Sequence, residues 1–100
     1  MDKTTALKYA KNYADLIRKE FSPVAVVMYG SYVNGIPDEY SDIDIAVIFD
    51  DFDGDILEAS AKLHRYTCQV STIIEPVLLD LSKDKSGFAS EILSTGEMVA

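Results

Sequence analysis

One hundred residues, 48% of them hydrophobic, are enough for one core and too few for two, so a single domain spanning residues 1–100 is expected. Seventeen acidic residues against nine scattered Lys and Arg leave a net charge of −8, which argues against a nucleic-acid surface. A single cysteine, Cys68, excludes an internal disulfide, a thiol pair and a structural zinc site.

In chain order, Ala6, Ala10, Tyr13 and Ile17, with Tyr9 and Leu16 beside them, recur at helical spacing. They predict an amphipathic first helix that Pro23 closes off. Neither this charged opening, Met1 to Glu20, nor any later stretch has the apolar core of a signal peptide or the length of a membrane span, and a cytoplasmic protein is expected. Val24 to Tyr29 is short, apolar and β-branched, and reads as a buried strand running into Gly30. Gly30 permits close approach of backbone to a ligand. Ser31 is expected to cap a short helix and to offer hydroxyl and amide to an oxyanion, which makes the pair a small anion site.

Ser41 to Ile48 alternates polar and apolar before turning wholly apolar, the pattern of a strand with one working end. Residues two apart share a strand face, so the carboxylates of Asp42 and Asp44 converge. Adjacent carboxylates repel unless a cation lies between them, and hard oxygen ligands suit Mg²⁺ brought in with phosphates. The pattern predicts metal-dependent phosphoryl or nucleotidyl transfer.

The acidic run Asp50 to Asp55 ends that strand. A calcium loop built on Asp51, Asp53 and Asp55 fails, because Ile56 stands at the tight-turn position and Lys62 where the closing acid belongs. Ile56, Leu57, Ala59, Ser60 and Leu63 predict a helix to about Tyr66, and Gln69 to Leu79 predicts a third strand. His64, the only histidine, has no second histidine to work with and suits a helix surface or a partly buried position, whereas Cys68 suits a small core position. Ser82 or Asp84 is positioned to cap a last helix that Gly96 ends. The order is helix, strand, short helix, strand, helix, strand, helix. The fold class is therefore α/β (α+β), a small mixed sheet of three to four strands flanked by helices.

Gly30-Ser31, ten intervening residues, then Asp42-Ile43-Asp44-Ile45 resembles the signature of the DNA polymerase beta-like nucleotidyltransferases, most closely the minimal nucleotidyltransferase (MNT) domain. The resemblance covers nearly the whole chain and implies the nucleotidyltransferase fold. It implies transfer of a nucleoside monophosphate, taken as AMP from ATP, to an acceptor hydroxyl, with Gly30 and Ser31 holding the terminal phosphates. It further implies that Asp42, Asp44 and a third carboxylate hold two Mg²⁺ ions; Glu75 is the candidate on the third strand and Asp80 the weaker one. Two departures stand out. Tyr32, Val33 and Asn34 occupy positions where many relatives carry an Arg, and Pro76 follows Glu75, which suits an edge strand or a bulge.

Larger relatives bind base and acceptor with an extra helical domain. Stand-alone MNT domains are typically antitoxins of a helical HEPN-type toxin, adenylylating a tyrosine on it, and this partner is what the resemblance implies. A second copy of the chain is the other source of an acceptor. Two rival readings are a non-catalytic module that neutralises its partner by contact, and a small-molecule nucleotidyltransferase. Tyr29, Tyr32 and Tyr40 flank the motif and are candidates for stacking on a base or for accepting a nucleotide themselves.

Overall fold

The computed structural model describes residues 1–37 and 41–100. The chain begins with α1 (Lys3–Ile17), whose first turn is closed by the Asp2 carboxylate accepting from the Thr5 amide at 2.8 Å. One stripe of α1, Ala6, Ala10, Tyr13, Ala14 and Ile17, is buried. Next come β1 (Ala25–Tyr29), the single-turn α2 (Ser31–Asn34) and β2 (Ile43–Phe49). Then follow α3 (Ile56–Thr67), β3 (Ile74–Asp80), a 3-10 turn, α4 (Phe88–Thr95) and a two-residue β4 (Glu97–Met98).

The four strands form one mixed sheet in the order β3-β2-β1-β4. β1 is antiparallel to both β2 and β4, whereas β2 and β3 run parallel. Parallel neighbours need a crossover, and α3 supplies it. The two central strands are apolar on both faces, as strands covered on both sides must be. Val26, Met28, Ile43, Ile45 and Val47 join the core under α1 and α3. Ala25, Val27, Ala46 and Ile48 form a smaller core with Ile92 of α4. A buried hydrogen bond from the Tyr13 hydroxyl to the Leu63 carbonyl, 2.7 Å, ties α1 to α3.

Most predicted elements are found, with three differences. The third strand begins at Ile74 rather than Gln69, because the residues after α3 close a turn in which the Val70 amide donates to the Thr67 carbonyl and the Ile74 amide to that of Ser71. The fourth strand that the sheet of three to four strands allowed for is β4, whose place was not read because two residues carry no periodicity. Cys68 is exposed rather than in the core, since it follows the last turn of α3 on the solvent side. His64 is exposed on α3. Of the acidic run, Asp55 caps α3, accepting from the Leu57 and Glu58 amides at 2.9 and 3.2 Å. No helix among the described residues is long and apolar enough to cross a membrane.

α4 is held over its face of the sheet at both ends. The Asp84 carboxylate accepts from the Ala89 and Ser90 amides, at 3.0 and 3.1 Å, although Gly87 is the residue next to the helix. Those bonds hold the Asp84 carboxyl below its ordinary value. A depressed folded-state pKa contributes stability above the unfolded value of 3.8, and that stability is lost as the pH falls through the lower folded value. An Asp84→Ala variant should therefore melt below wild type at pH 7, with the gap in Tm closing at pH 2. At the other end Gly96 lies against β1: a Cβ there would run into Val27 Cγ1 and sit 2.8 Å from the Ile92 carbonyl oxygen. Gly96→Ala should cost about 1–3 kcal/mol by overpacking, read as a lower urea midpoint with an unchanged m-value.

Candidate active site

Strand pairing assembles the site. Tyr29, the last residue of β1, lies opposite Asp44 of β2, and Asp44 lies opposite Glu75 of β3. Residues opposite one another share a face, so Tyr29, Asp44 and Glu75 form a row across three strands. Asp42, two residues before Asp44 and just outside β2, adds a carboxylate on the same face. This is the α4 face, and Phe88 at the start of α4 meets the Tyr29 ring edge to face, with centroids 6.0 Å apart. Asp42 and Glu75 are exposed and Asp44 is half-buried.

The row is negatively charged. Burial is the main reason that the Asp44 carboxyl sits above its ordinary value, and the charges of Asp42 and Glu75 raise it further. The Tyr29 phenol is raised in the same way, first by burial and then by Asp44 and Glu75. β1, α2, β2, β3 and α4 contain no Lys or Arg. Among the described residues the ion pairs are Lys3 with Glu97 and Lys62 with Glu20, so none compensates these carboxylates.

Gly30 links the row to the turn that follows. Its φ of 80° and ψ of −146° suit glycine, and a Cβ there would run into Asp44 Oδ2 and lie 3.2 Å from its Cγ. Bare backbone thus lies directly against the Asp44 carboxylate. Gly30, and not Ser31, occupies the capping position of α2, and it makes no side-chain cap; Ser31 is the first residue of the turn. The amides of Ser31 and Tyr32, at the start of α2, have no acceptor within it.

The structure therefore brings Asp42, Asp44, Glu75, Gly30 and Ser31 to one end of the sheet. Asp80 is elsewhere. It pairs with Phe49 at the opposite end of β3 and is engaged by the Ser82 amide at 2.9 Å and the Phe52 amide at 3.1 Å. β3 is an edge strand, which is how Pro76 is accommodated beside Glu75. Tyr32 is 4% exposed and belongs to the core under α1, so its ring is not free to stack on a base. Tyr40 lies outside the described residues. The contact of Tyr29 with Phe88 joins residues 59 positions apart and had no local signal.

The three carboxylates supply hard oxygen donors with no protein cation beside them, a donor set that suits a divalent ion such as Mg²⁺. As they stand, no three or more His, Cys, Asp or Glu side chains among the described residues are gathered closely enough to hold one ion. A cavity of about 310 Å³, lined by Glu20, Lys62, Arg65, Tyr66 and Gln69, is remote from the row. The Tyr66 hydroxyl donates to Glu20 across it at 2.7 Å.

Comparison with known proteins bears on the fold and the family. The chain superposes on the crystal structure of a candidate nucleotidyltransferase from Sulfolobus solfataricus with a TM-score of 0.70, covering 96% of this chain and 80% of that one at 18% identity. The mixed sheet flanked by helices is thus a nucleotidyltransferase fold. No curated protein matches the sequence. The family model described as polymerase beta, nucleotidyltransferase matches residues 11–100, which include all the carboxylates of the row, and the chain belongs to that family.

Proposed function

We propose that the protein is a Mg²⁺-dependent nucleotidyltransferase that moves AMP from ATP to a hydroxyl of a partner protein, a tyrosine on a HEPN-type toxin, and so acts as the antitoxin of the pair. The observation that carries the reading is the carboxylate row set against the Cβ-less backbone of Gly30. Asp42, Asp44 and Glu75 would hold Mg²⁺, which would supply neutralisation of phosphate charge. Gly30 lets the triphosphate approach the backbone, and the amides of Ser31 and Tyr32 are donors for its terminal oxygens. The acceptor oxygen bonds to the α-phosphorus while the bond to pyrophosphate breaks. Glu75, exposed at the edge of the row, would complete the metal site or take the acceptor's proton. The open row leaves room for an acceptor presented by another molecule.

One observation favours a second reading, a module that neutralises its partner by contact alone: the elements that build the site carry no cation to help hold a triphosphate. The two readings separate on label transfer. With α-³²P-ATP and Mg²⁺ in an extract of the native cell, wild-type protein should label a protein band and Asp44→Asn should reduce that label by about 10²-fold or more. No label, despite binding of a partner, would favour contact. Asp44→Asn also relieves like-charge crowding, so in chelator its Tm should equal or exceed that of wild type, and added Mg²⁺ should raise the Tm of wild type only.

Gly30→Ala should bind its partner normally yet lose about 10²-fold in transfer, because the new methyl displaces the Asp44 carboxylate. A variant with wild-type turnover would remove Gly30 from the site.

A further inference from the structure

We propose that the outer edge of β3 beyond Pro76 is a docking groove for one extended segment of a partner protein, apolar at its centre and basic at its flanks. The docking needs no nucleotide; only its consequence for acceptor delivery rests on the nucleotidyltransfer reading.

The ladder shows which backbone groups are free. The Ile43 amide donates to the Ile73 carbonyl, and a parallel ladder keeps that phase along its length. Glu75, Val77 and Leu79 therefore turn their amides and carbonyls toward β2, whereas Ile74, Pro76, Leu78 and Asp80 turn theirs to the outer edge. The Ile74 amide donates to the Ser71 carbonyl, and Pro76 has no amide hydrogen. Donors for another strand thus remain at Leu78 and Asp80, on the half of β3 away from Glu75.

Side chains from both layers border these donors. A groove of about 210 Å³ is lined by Ile56, Leu78, Leu79, Phe88 and Ala89. Ile56 of α3 and Phe88 of α4 are 39% and 43% exposed. An added strand alternates its side chains between the two faces, so an apolar centre would cover both. Asp80, Asp84 and Lys83 also line the groove, and Asp55 and Glu58 flank Ile56. Basic flanks complement that rim, whereas a second copy would bring the same acids and a net charge of −8. Glu75 lies three residues before Leu78, about 10 Å along the strand. A segment anchored at Leu78 would run on unpaired past Pro76, and a hydroxyl a few residues from the anchor would reach the carboxylate row.

The probe is a pool of capped peptides, Lys-Xaa-Val-Xaa-Val-Xaa-Lys with Xaa varied, read by amide hydrogen exchange. In the free chain the Leu78 amide should exchange at least about tenfold faster than those of Val77 and Leu79, and saturating pool should slow Leu78 and Asp80 about tenfold. The same concentration of a pool with N-methylated valines, or with Glu in place of Lys, should slow neither. A protected Leu78 in the free chain would overturn the inference, as would no slowing by the Lys pool or equal slowing by either control pool. Slowing produced by raising the protein concentration alone would also overturn it, because a second copy would then be the occupant. Leu78→Pro removes an outward donor and no ladder bond, so its Tm should stay near wild type and its ATP binding unchanged, while labelling of the partner falls about tenfold. A folded Leu78→Pro that labels as well as wild type would overturn the inference; should the variant not fold, the peptide pools decide. If the pools behave as expected and wild type labels no protein, the inference stands and the proposed function alone fails.

Discussion

The position of β2, antiparallel to β1 on one side and parallel to β3 on the other, is the constraint on which the site depends. Antiparallel pairing brings the end of β1 to the start of β2, and parallel pairing brings the start of β3 to the same place. Three chain segments far apart in sequence thus deliver Tyr29, Asp44 and Glu75 to one line. Ile43, Ile45, Val47 and Ile48 hold this register, all fully buried and each contributing about 1.5–3 kcal/mol on burial. A slip of one residue would turn Asp44 into the apolar layer under α1 and α3 and move Ile43 and Ile45 to the α4 face. The apolar residues therefore fix where the charged ones stand.

That arrangement has an internal cost. Asp42, Asp44 and Glu75 repel one another, and burial of Asp44 adds to the penalty. Carboxylates that served stability alone would be expected beside Lys or Arg, and this protein carries such pairs away from the row: Lys62 with Glu20 and Lys3 with Glu97. Two cores, one under α1 and α3 and one under α4, supply the cohesion against which the row is held apart. Uncompensated charge at the end of a well-packed sheet is what the proposed ligand site rests on.

Much of this was legible in the chain because it is local. The helical spacing of α1 and α3, the apolar runs of β1 and β2, and the two-residue period that puts Asp42 beside Asp44 all lie within short windows. Gly30 was legible as a place of close approach, but what approaches it, the Asp44 carboxylate, is fourteen residues away. Register between strands is non-local, so the choice between Glu75 and Asp80 needed the sheet: one lies beside Asp44 and the other at the far end of the same strand. Tyr32 shows the same limit. Its place next to the motif suggested a role with nucleotide, whereas the turn of α2 carries it back into the core.

The distribution of basic residues adds a constraint on how an anion could be held. Lys3, Lys8 and Lys11 lie on α1, Arg18 and Lys19 just after it, and Lys62 and Arg65 on α3, the layer on the far side of the sheet from the row. Lys83 and Lys85 follow β3, at the end remote from Glu75. A triphosphate approaching the row thus meets three carboxylates and no side-chain cation from the strands beneath it. Backbone amides at the start of α2 give direction but little charge, since a single turn has almost no macrodipole. Under the proposed function, charge neutralisation would come from divalent ions or from the acceptor molecule. Affinity for nucleotide should follow metal concentration steeply, and an acceptor whose hydroxyl is flanked by basic groups would be favoured at this face over a neutral one.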